Sequence, residues 1–398
     1  MVFSISYILP LSLSLLLHSH PALSAYTSTT DNSDVHDPSK SCSCYVISSD
    51  SSSPSSSSST TTPTYFLHHR FFDFRNLADG QPGKYVSDPP LLNSTQDNGT
   101  ESVWSPDVLD TDAWTTDWAI QNWSKPSSDK FPVRMVNSPA NIYISQDPSN
   151  VSDASTWLTL RTSRLDDFQS AAEMESTQKN VLFASLRMYA RVRGDRGAVA
   201  GFFSFYNDTN ESDVEILTRD PRDRIRYTNQ PAVDDEGDEV PGASVAVSGL
   251  GSWTEWAEHR IDWVEGRSFW FRDGRKVAEN TYSVPSVPSY LVLNMWGDGG
   301  EWSGEMEVGG SAVLEVRWIE MVFNTSGPVE GVDGGDDGSR RRKRGEGGGK
   351  DGCKVVCKVD GVKTAGSPEV VSWAVKATVS WWVGVGVGLG WFALALGF

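Results

Sequence analysis

Basic residues are scarce in this chain relative to acidic ones. Its 398 residues include 34 Lys and Arg against 52 Asp and Glu, a formal net charge of −18 at pH 7. Nucleic-acid binding needs a basic face that meets phosphates, so this balance argues against a nucleic-acid partner. The basic run Arg340–Arg344 is flanked by glycine, and we interpret it as a solvated linker, with a processing site as the alternative.

Cysteine is also scarce, and none lies between residues 65 and 326. The four cysteines are Cys42, Cys44, Cys353 and Cys357. In a secreted chain they are expected to form disulfides, for which three pairings are possible. No histidine stands at ligand spacing from them, which argues against zinc. The acidic run Asp234–Glu239 lacks the regular spacing of a calcium loop. We therefore predict neither a metal nor another cofactor.

Long helical periods and repeats of solenoid length are missing as well. Between residues 65 and 326, short runs rich in Val, Phe, Trp and Leu alternate with Gly, Asp, Asn and Pro. Asp273-Gly274 after Phe269–Phe271 is typical of a hairpin turn. This pattern predicts one all-β domain over residues 65–326, built as an antiparallel sandwich of two sheets.

The N-terminal region predicts export. Residues 1–25 contain the apolar run Ile5–Leu17 and end in small residues, as a signal peptide does. Residues 26–64 are rich in Ser and Thr, which predicts a disordered, O-glycosylated stalk. Residues 327–366 are predicted to be a flexible linker that carries two of the cysteines. N-glycosylation sequons fit the secretory route. They occur at Asn93, Asn98, Asn122, Asn150, Asn207 and Asn324, and at Asn210, where a glycan would obstruct the neighbouring Glu211.

The C-terminal residues 367–398 predict membrane attachment. Ala377–Phe398 carries no charge and is long enough to span a bilayer. No basic residue follows it, which favours a cleaved glycolipid-anchor (GPI) signal over a retained transmembrane helix. Ala365–Ser367 would be the attachment site and Pro368–Lys376 the spacer. A segment buried in the fold is the third alternative. We expect a monomer at the cell surface or in the cell wall.

Three acidic residues form the most informative motif of the chain. Glu211, Asp213 and Glu215 are spaced by two in the stretch NESDVEILT. Alternate side chains of a strand share a face, so the three carboxyls are predicted to lie together, with Ser212 and Val214 on the other face. Such crowding is repulsive, and a purely structural sheet would avoid it. A glycosidase uses it, because it needs one carboxylate nucleophile and one carboxylic acid.

The spacing of the two glutamates predicts the stereochemistry. Their α-carbons lie about 13 Å apart along a strand, and long side chains that lean together narrow the gap between carboxyls to about 5–5.5 Å. That separation is typical of a retaining mechanism. Glu215 would protonate the leaving oxygen, and we expect the negative charges of Asp213 and Glu211 to weaken its acidity.

Aromatic residues predict a sugar-binding cleft. The chain has 16 Trp, and an indole ring stacks on the flat face of a sugar. Trp296 and Trp302 are the first candidates for the cleft, and Tyr206 and Asn229 are weaker ones. Core packing is the alternative for each Trp. It is favoured for Trp263 and Trp318, which lie in dense apolar runs. Two further predictions concern polar residues: His259 is structural, and Glu173 and Glu175 lie in the cleft or on the surface.

Several segments in a fixed order resemble glycoside hydrolase family 16, the β-glucanase and transglycosylase group. These are Ser170–Ser176, Ala200–Phe203, the acidic strand, His259–Trp263, and Asn294–Gly297 with Trp302. The resemblance covers about residues 65 to 326. It implies a concanavalin A-like β-jelly roll with a concave sugar-binding face. His69–Arg75, Tyr227–Pro231 and Trp318–Met321 resemble a subgroup of secreted fungal members.

The resemblance also implies roles for the acids. Glu211 corresponds to the nucleophile and Glu215 to the general acid/base, while Asp213 tunes the charge between them. Ser212 stands where the family usually has an aliphatic residue. The implied reaction is hydrolysis or transglycosylation of a β-glucan-type cell-wall polysaccharide. A lectin-like binder and a structural surface protein with an inactive site are the alternatives on the same fold.

Overall fold

The structure is a computed structural model that describes residues 28–30, 42–48, 64–91, 103–149, 155–234, 236, 238–329, 353 and 355–373. The signal peptide, most of the Ser/Thr-rich stalk, the basic run at 340–344 and the apolar C-terminal segment lie outside these residues. So do the sequons at Asn93, Asn98 and Asn150. Within the described part of the chain, no helix is long and apolar enough to cross a membrane.

The described residues are almost entirely β-structure. In chain order the strands are β1 Ser28–Thr30, β2 Cys44–Ile47, β3 Thr64–Phe66, β4 His68–Asp73, β5 Trp118–Ile120, β6 Ser124–Lys125, β7 Arg134–Asn137, β8 Ile142–Gln146, β9 Thr156–Arg164, β10 Phe168–Ser176, β11 Val181–Gly194, β12 Val199–Asn207, β13 Asn210–Leu217, β14 Ile225–Asn229, β15 Ser244–Val247, β16 Ala257–Val264, β17 Arg267–Arg272, β18 Arg275–Asn280, β19 Tyr290–Trp296, β20 Ser311–Thr325, β21 Val355–Lys358 and β22 Glu369–Trp373. The helices are α1 Pro106–Leu109, α2 Asp112–Asp117 and a 3-10 turn at Pro139–Asn141.

Two antiparallel sheets pack face to face. The front sheet has the order β5-β10-β19-β12-β13-β14-β15. The back sheet runs β18-β17-β16-β11-β20, after which the first half of β20 pairs with β9 and its second half with β4. Strand β10 joins the two, because its first half pairs with β7 and β9 and its second half with β19. The predicted all-β jelly-roll sandwich is confirmed.

The core lies between the sheets and follows from strand alternation. Every second residue of β13 faces inward, so Val214 and Ile216 are 1 % exposed, as the sequence predicted. They pack in one cluster with Phe202 of the front sheet and Trp263 and Trp270 of the back sheet. Truncation of a fully buried Trp to Ala costs about 3–5 kcal/mol, so these two indoles are major anchors of the sandwich.

A second, smaller sheet joins the two ends of the described chain. It has the order β22-β21-β2-β3, and we call it the terminal module. Two disulfides hold it together, Cys42–Cys357 and Cys44–Cys353, and they decide among the three pairings that the sequence left open. Strands therefore replace parts of the stalk and linker that we predicted to be flexible at 26–64 and 327–366. The difference arises because each disulfide joins residues more than 300 positions apart, where no local pattern marks a strand partner.

The terminal module packs on the outer face of the back sheet. Asp360 accepts hydrogen bonds from Arg187 at 2.8 Å and Arg260 at 2.7 Å. Burial alone would raise the pKa of Asp360, but these two guanidiniums outweigh it and lower the pKa. A Cβ on Gly366 would lie 2.3 Å from the ring of Phe71, so the glycine permits this close approach. Gly366 belongs to the predicted attachment site, and that prediction remains untested.

Candidate active site

Strand β13 positions all three acids on the outer face of the front sheet. Its neighbours place Glu211 opposite Phe205, Asp213 opposite Phe203, and Glu215 opposite Gly201. Asp213 is 1 % exposed, and the two glutamates are partly buried. The structure thus has the extended segment and the shared face that alternation predicted.

A row of side chains crosses the front sheet at the level of Glu215. Strand register aligns Glu173, Asn294, Gly201, Glu215 and Arg226 on successive strands. Since cross-strand partners share a face, Glu173 lies on the same face as the acids. Of the two positions left open for Glu173, the structure therefore selects the cleft face.

Trp123, in the connection between β5 and β6, holds the side chain of Glu173 in place. Trp123 Nε1 donates to its Oε1 at 2.8 Å. Burial raises the pKa of Glu173 to about 7, which the Trp123 hydrogen bond opposes. Glu175 shares this face and pairs with Lys179 at 2.6 Å.

Gly201 permits close packing of its neighbours beside Glu215. A Cβ at this position would lie 2.5 Å from Asn294 Oδ1 and 3.1 Å from the ring of Phe203. Real Cβ atoms do not approach that closely without displacement of a neighbour. Glycine therefore keeps Asn294 and Phe203 next to the acids.

Glu215 accepts two side-chain hydrogen bonds. Trp302 Nε1 donates to Oε1 at 2.8 Å, and Thr228 Oγ1 donates to Oε2 at 3.4 Å. Burial raises the pKa of Glu215, while Trp302, Arg226 and Thr228 each lower it. The predicted direction is correct, and burial is its main cause. The predicted repulsion among the three acids raises the pKa of Glu211 and Asp213.

Glu211 and Asp213 behave as a coupled pair. Burial is the main cause that raises the pKa of Glu211 to about 8 and that of Asp213 well above its usual range. The charges of Glu211 and Glu215 raise the pKa of Asp213 further. Gln230 Nε2 donates to Asp213 Oδ2 at 3.2 Å and opposes this rise.

Trp302 and Arg226 form the boundary of the site next to Glu215. The guanidinium of Arg226 lies 4.6 Å from the centre of the Trp302 ring. Asp220 fixes Arg226 from behind through two hydrogen bonds of 2.9 and 3.3 Å. Trp302 is thus in contact with the predicted acid/base. Trp296 is partly buried on β19, where it pairs with Val199 two positions beyond the row that contains Asn294.

The two weaker candidates for the sugar-binding cleft, Asn229 and Tyr206, do not lie beside the acids. Asn229 is fully buried and faces the interior: its Nδ2 donates to Tyr282 O at 2.8 Å, and its Oδ1 accepts from Ser268 at 3.1 Å. Its assignment to the cleft is wrong, because it pairs with Ser212, whose side chain also faces inward. Ser212 donates to Ser268 at 3.3 Å, so this polar residue has a polar partner between the sheets.

Tyr206 is 54 % exposed at the end of β12, next to an irregularity between Phe205 and Asn207. Alternation from Phe205 therefore does not place it with the acids. Sequence reasoning missed an aromatic cluster that does lie on their face. Phe205 packs edge-on against Phe203 at 6.1 Å and against Tyr290 at 5.7 Å. Alternation backwards from Glu211 and its partner Phe205 would have found it, had the strand register been known.

The remaining polar candidates have structural surroundings. His259 is 1 % exposed between the sheets, and burial lowers its pKa to about 3, so it is neutral there. Of the described sequons, Asn122 and Asn207 are exposed, while Asn324 donates its amide to Tyr65 O at 3.2 Å. Their glycosylation remains a prediction. No cluster of three metal-ligating side chains occurs among the residues that the structure describes.

A family model matches the part of the chain that contains this site. Residues 137–319 match the model of glycosyl hydrolases family 16. This stretch includes β13, Glu173 and Trp302. The more specific resemblance to fungal members remains a prediction.

Two curated relatives are similar to part of the chain. The beta-glucanases of Paenibacillus polymyxa and Paenibacillus macerans are each 24 % identical over 139 residues. The match covers 32 % of this chain and 54 % of each relative, so the chain spans about half the length of these relatives.

Solved structures give a second comparison. The Bacillus licheniformis beta-glucanase is 18 % identical, and the match covers 52 % of this chain and 92 % of that chain with a TM-score of 0.38. A family 16 endo-glucanase from Bacteroides ovatus matches with 12 % identity, 52 % and 95 % coverage, and a TM-score of 0.42.

Proposed function

We propose that this protein is a retaining glycoside hydrolase that acts on a β-glucan-type polysaccharide. One observation carries the proposal: three carboxyls share the outer face of β13, and burial raises the pKa of each of them. A binding protein or a structural sheet has no need of such crowding. The match to the family 16 model supports the same conclusion, and the curated relatives named above are beta-glucanases.

The three acids have distinct roles in this mechanism. Ionised Glu211 attacks the anomeric carbon while protonated Glu215 gives its proton to the leaving oxygen. Asp213 donates a hydrogen bond that stabilises the charge of Glu211 before the attack. Glu215, now a base, then takes a proton from the acceptor, which restores Glu211 as the glycosyl ester breaks. Water as acceptor gives hydrolysis, and a sugar hydroxyl gives transglycosylation.

Aromatic side chains on both sides of the acids suit a polysaccharide. Phe205, Phe203 and Tyr290 lie beside Glu211, and Trp302 lies beside Glu215. Apolar rings take the flat faces of sugar units, and Glu173 and Asn294 offer partners for hydroxyls. A chain of sugars that crosses the strands would meet both sets of rings.

Export to the cell surface completes the proposal. The apolar N-terminal run, the sequons and two disulfides fit a protein that matures in an oxidising compartment. Attachment is through the apolar C-terminal segment, as a GPI signal or, alternatively, as a transmembrane helix. A lectin-like binder on the same fold is the competing function.

The test uses residues 26–376, which retain β22 and both disulfides. The protein is offered mixed-linkage β-glucan, β-1,3-glucan and chitin-type chains, with a labelled oligosaccharide acceptor. We expect product of retained anomeric configuration, observed by NMR, and its loss in Glu211→Gln and Glu215→Gln. Glu279→Gln, an acid of the edge strand β18, is the matched control and should be active. Binding that survives both active-site changes, without turnover of any glucan, would establish the lectin-like alternative.

A further inference from the structure

A row of aromatic side chains lies on the outer face of the back sheet, away from the acids. Trp157, Trp256, Tyr189, Trp318 and Phe71 follow one another with ring-centre distances of 6.0, 5.9, 5.7 and 5.8 Å. The row begins on β9 and ends on β4, beside the terminal module. It was not expected from sequence, where Trp318 was assigned to the core.

Arginines are stacked along this row. Arg191 lies 4.4 Å from the ring centre of Trp256, and Arg317 lies 4.3 Å from the same ring. Arg75 lies 5.9 Å from the ring centre of Phe71. We call Arg75, Arg191, Arg193 and Arg317 the arginine patch. Stacking holds the guanidiniums of Arg75, Arg191 and Arg317 in place and leaves N–H groups at their edges available for a further partner.

The charges of the arginine patch are only partly neutralised. Glu315 pairs with both Arg191 and Arg193, and Asp73 pairs with Arg75. Arg317 forms no salt bridge to any described carboxylate, and its buried Nε lacks a hydrogen-bond partner. Burial lowers the pKa of Arg317, and the guanidiniums of Arg191 and Arg75 lower it further. Crowded positive charge is unexpected on a chain with a net charge of −18.

A cavity continues the arginine patch at the edge of the sandwich. This edge cavity has a volume of about 540 Å³ and is lined by Arg193, Arg196 and Arg222, with Trp253 and Thr254. Within the described ranges Arg196 and Arg222 take part in no ion pair. Asp220 also lines the cavity, but its charge is taken by Arg226. The cavity therefore presents net positive charge to its contents.

Stacking with aromatic rings alone would account for the rigidity of these arginines, but it leaves the charge of Arg317, Arg196 and Arg222 unexplained. We propose that the arginine patch and the edge cavity together bind an anionic polysaccharide. Carboxylate or sulfate groups match the guanidinium fork, and a cavity of this size accepts one sugar unit. Nucleic acid suits the surface less, because single strands stack their bases on exposed rings, and Trp157, Trp318 and Phe71 are at most 8 % exposed.

The arginine patch lies on the opposite sheet from the acids, and the edge cavity lies at the connection between β13 and β14. Binding at these places does not depend on the activity of the acids. A ligand held there leaves the front face free. The protein would then be retained on an acidic matrix while the acids act on a neutral chain.

The experiment uses the full disulfide-bonded protein and isothermal titration calorimetry. Polygalacturonate supplies carboxylates, dextran sulfate supplies sulfates, and neutral laminarin and a single-stranded polynucleotide complete the set of probes. We expect binding of at least one acidic polysaccharide, weakened at high salt, since exposed charges are screened beyond about 8–10 Å. The double variant Arg317→Gln/Arg222→Gln should bind at least tenfold more weakly. Arg275→Gln, an exposed arginine on β18, is the matched control and should bind as the unaltered protein does.

Folding of each variant is checked by its melting temperature. Arg317→Lys offers a second measurement, because it keeps the charge but loses the planar stacked donor and should bind with intermediate affinity. Unchanged affinity in the folded double variant would overturn the proposal. So would failure of both acidic polysaccharides to bind, or tighter binding of the polynucleotide than of either.

Discussion

The hydrogen bond from Trp302 to Glu215 should set the pH at which the site works. Trp302→Phe removes the N–H that Glu215 accepts at 2.8 Å but keeps a ring beside Arg226. A hydrogen bond to a charged group contributes about 1.5–3 kcal/mol, and 1.4 kcal/mol is tenfold in an equilibrium constant. Because the bond stabilises ionised Glu215, its loss should raise the proton affinity of Glu215 by about tenfold to a hundredfold.

The ion pair behind Trp302 gives a sharper form of the same prediction. Arg226 lowers the pKa of Glu215, so Arg226→Gln should raise the proton affinity of Glu215. Asp220 neutralises Arg226, so Asp220→Asn should leave the guanidinium charge unopposed and lower that affinity. The two halves of one ion pair thus have opposite effects. A residue that only supports the fold would not produce this sign difference.

The assay is the pH dependence of kcat/KM on the glucan that the protein cleaves. Glu215 must be protonated to act as an acid, so the alkaline limb should move to higher pH in Trp302→Phe and Arg226→Gln, and to lower pH in Asp220→Asn. The NMR resonance of the Trp302 indole N–H provides a reading without turnover, since it should titrate with Glu215. Asp73→Asn, which opens an ion pair on the back sheet, should change neither. Movement of the limb in the same direction for Arg226→Gln and Asp220→Asn would refute the reasoning.

Three further predictions concern the pH dependence of stability, the two disulfides and the packing around Gly201. Folding raises the pKa of Glu211 to about 8, so the protonated group stabilises the fold below its usual pKa, and this contribution is lost as the pH rises to 8. Glu211→Gln should therefore melt at a higher temperature than the unaltered protein at pH 8 and at nearly the same temperature near pH 4. Calorimetry at the two pH values checks this. Each disulfide closes a loop of more than 300 residues. Because both disulfides close nearly the same loop, removal of one should change the free energy of unfolding little, whereas removal of both should lower it by about 5 kcal/mol in urea denaturation. Equal losses of stability for each single removal, adding up to the loss for both, would contradict this. Gly201→Ala places a Cβ 2.5 Å from Asn294 Oδ1, which should cost about 1–3 kcal/mol in urea and reduce kcat/KM. Unchanged stability and turnover would show that Asn294 and Phe203 shift without cost and would contradict this prediction.

The central part of the site could be predicted because it is local. The alternation of Glu211, Asp213 and Glu215 along one strand needs no knowledge of neighbouring strands. The two-sheet fold was predictable for a similar reason, since short apolar runs and turn residues recur along residues 65–326. The inward face of Val214 follows from the same alternation.

Errors occurred where the answer depends on strand register. Asn229 pairs with Ser212, and only that pairing shows that it faces the core. The contribution of burial to the raised pKa of Glu215 was likewise out of reach, because burial depends on how neighbouring strands pack. Charge repulsion is visible in a sequence, whereas burial is not.

The terminal module was missed for a different reason. Its strands lie in Ser- and Gly-rich surroundings, where composition favours disorder, and the pairing of β2 with β21 joins residues more than 300 positions apart. The four cysteines predicted disulfides, and two of the three possible pairings would link the two ends, but cysteine spacing alone does not reveal a sheet.

The terminal module also fixes where the polypeptide enters and leaves the domain. Ser43 N donates to Val355 O at 2.9 Å, and Val355 pairs with Trp373. Residues 43 and 373 are therefore separated by about two strand spacings, roughly 10 Å. Both exits lie behind the back sheet, so a tether at either terminus would aim the acidic face outward from its support. A short peptide could also bridge the exits, which makes the domain suited to circular permutation or to insertion into a host loop.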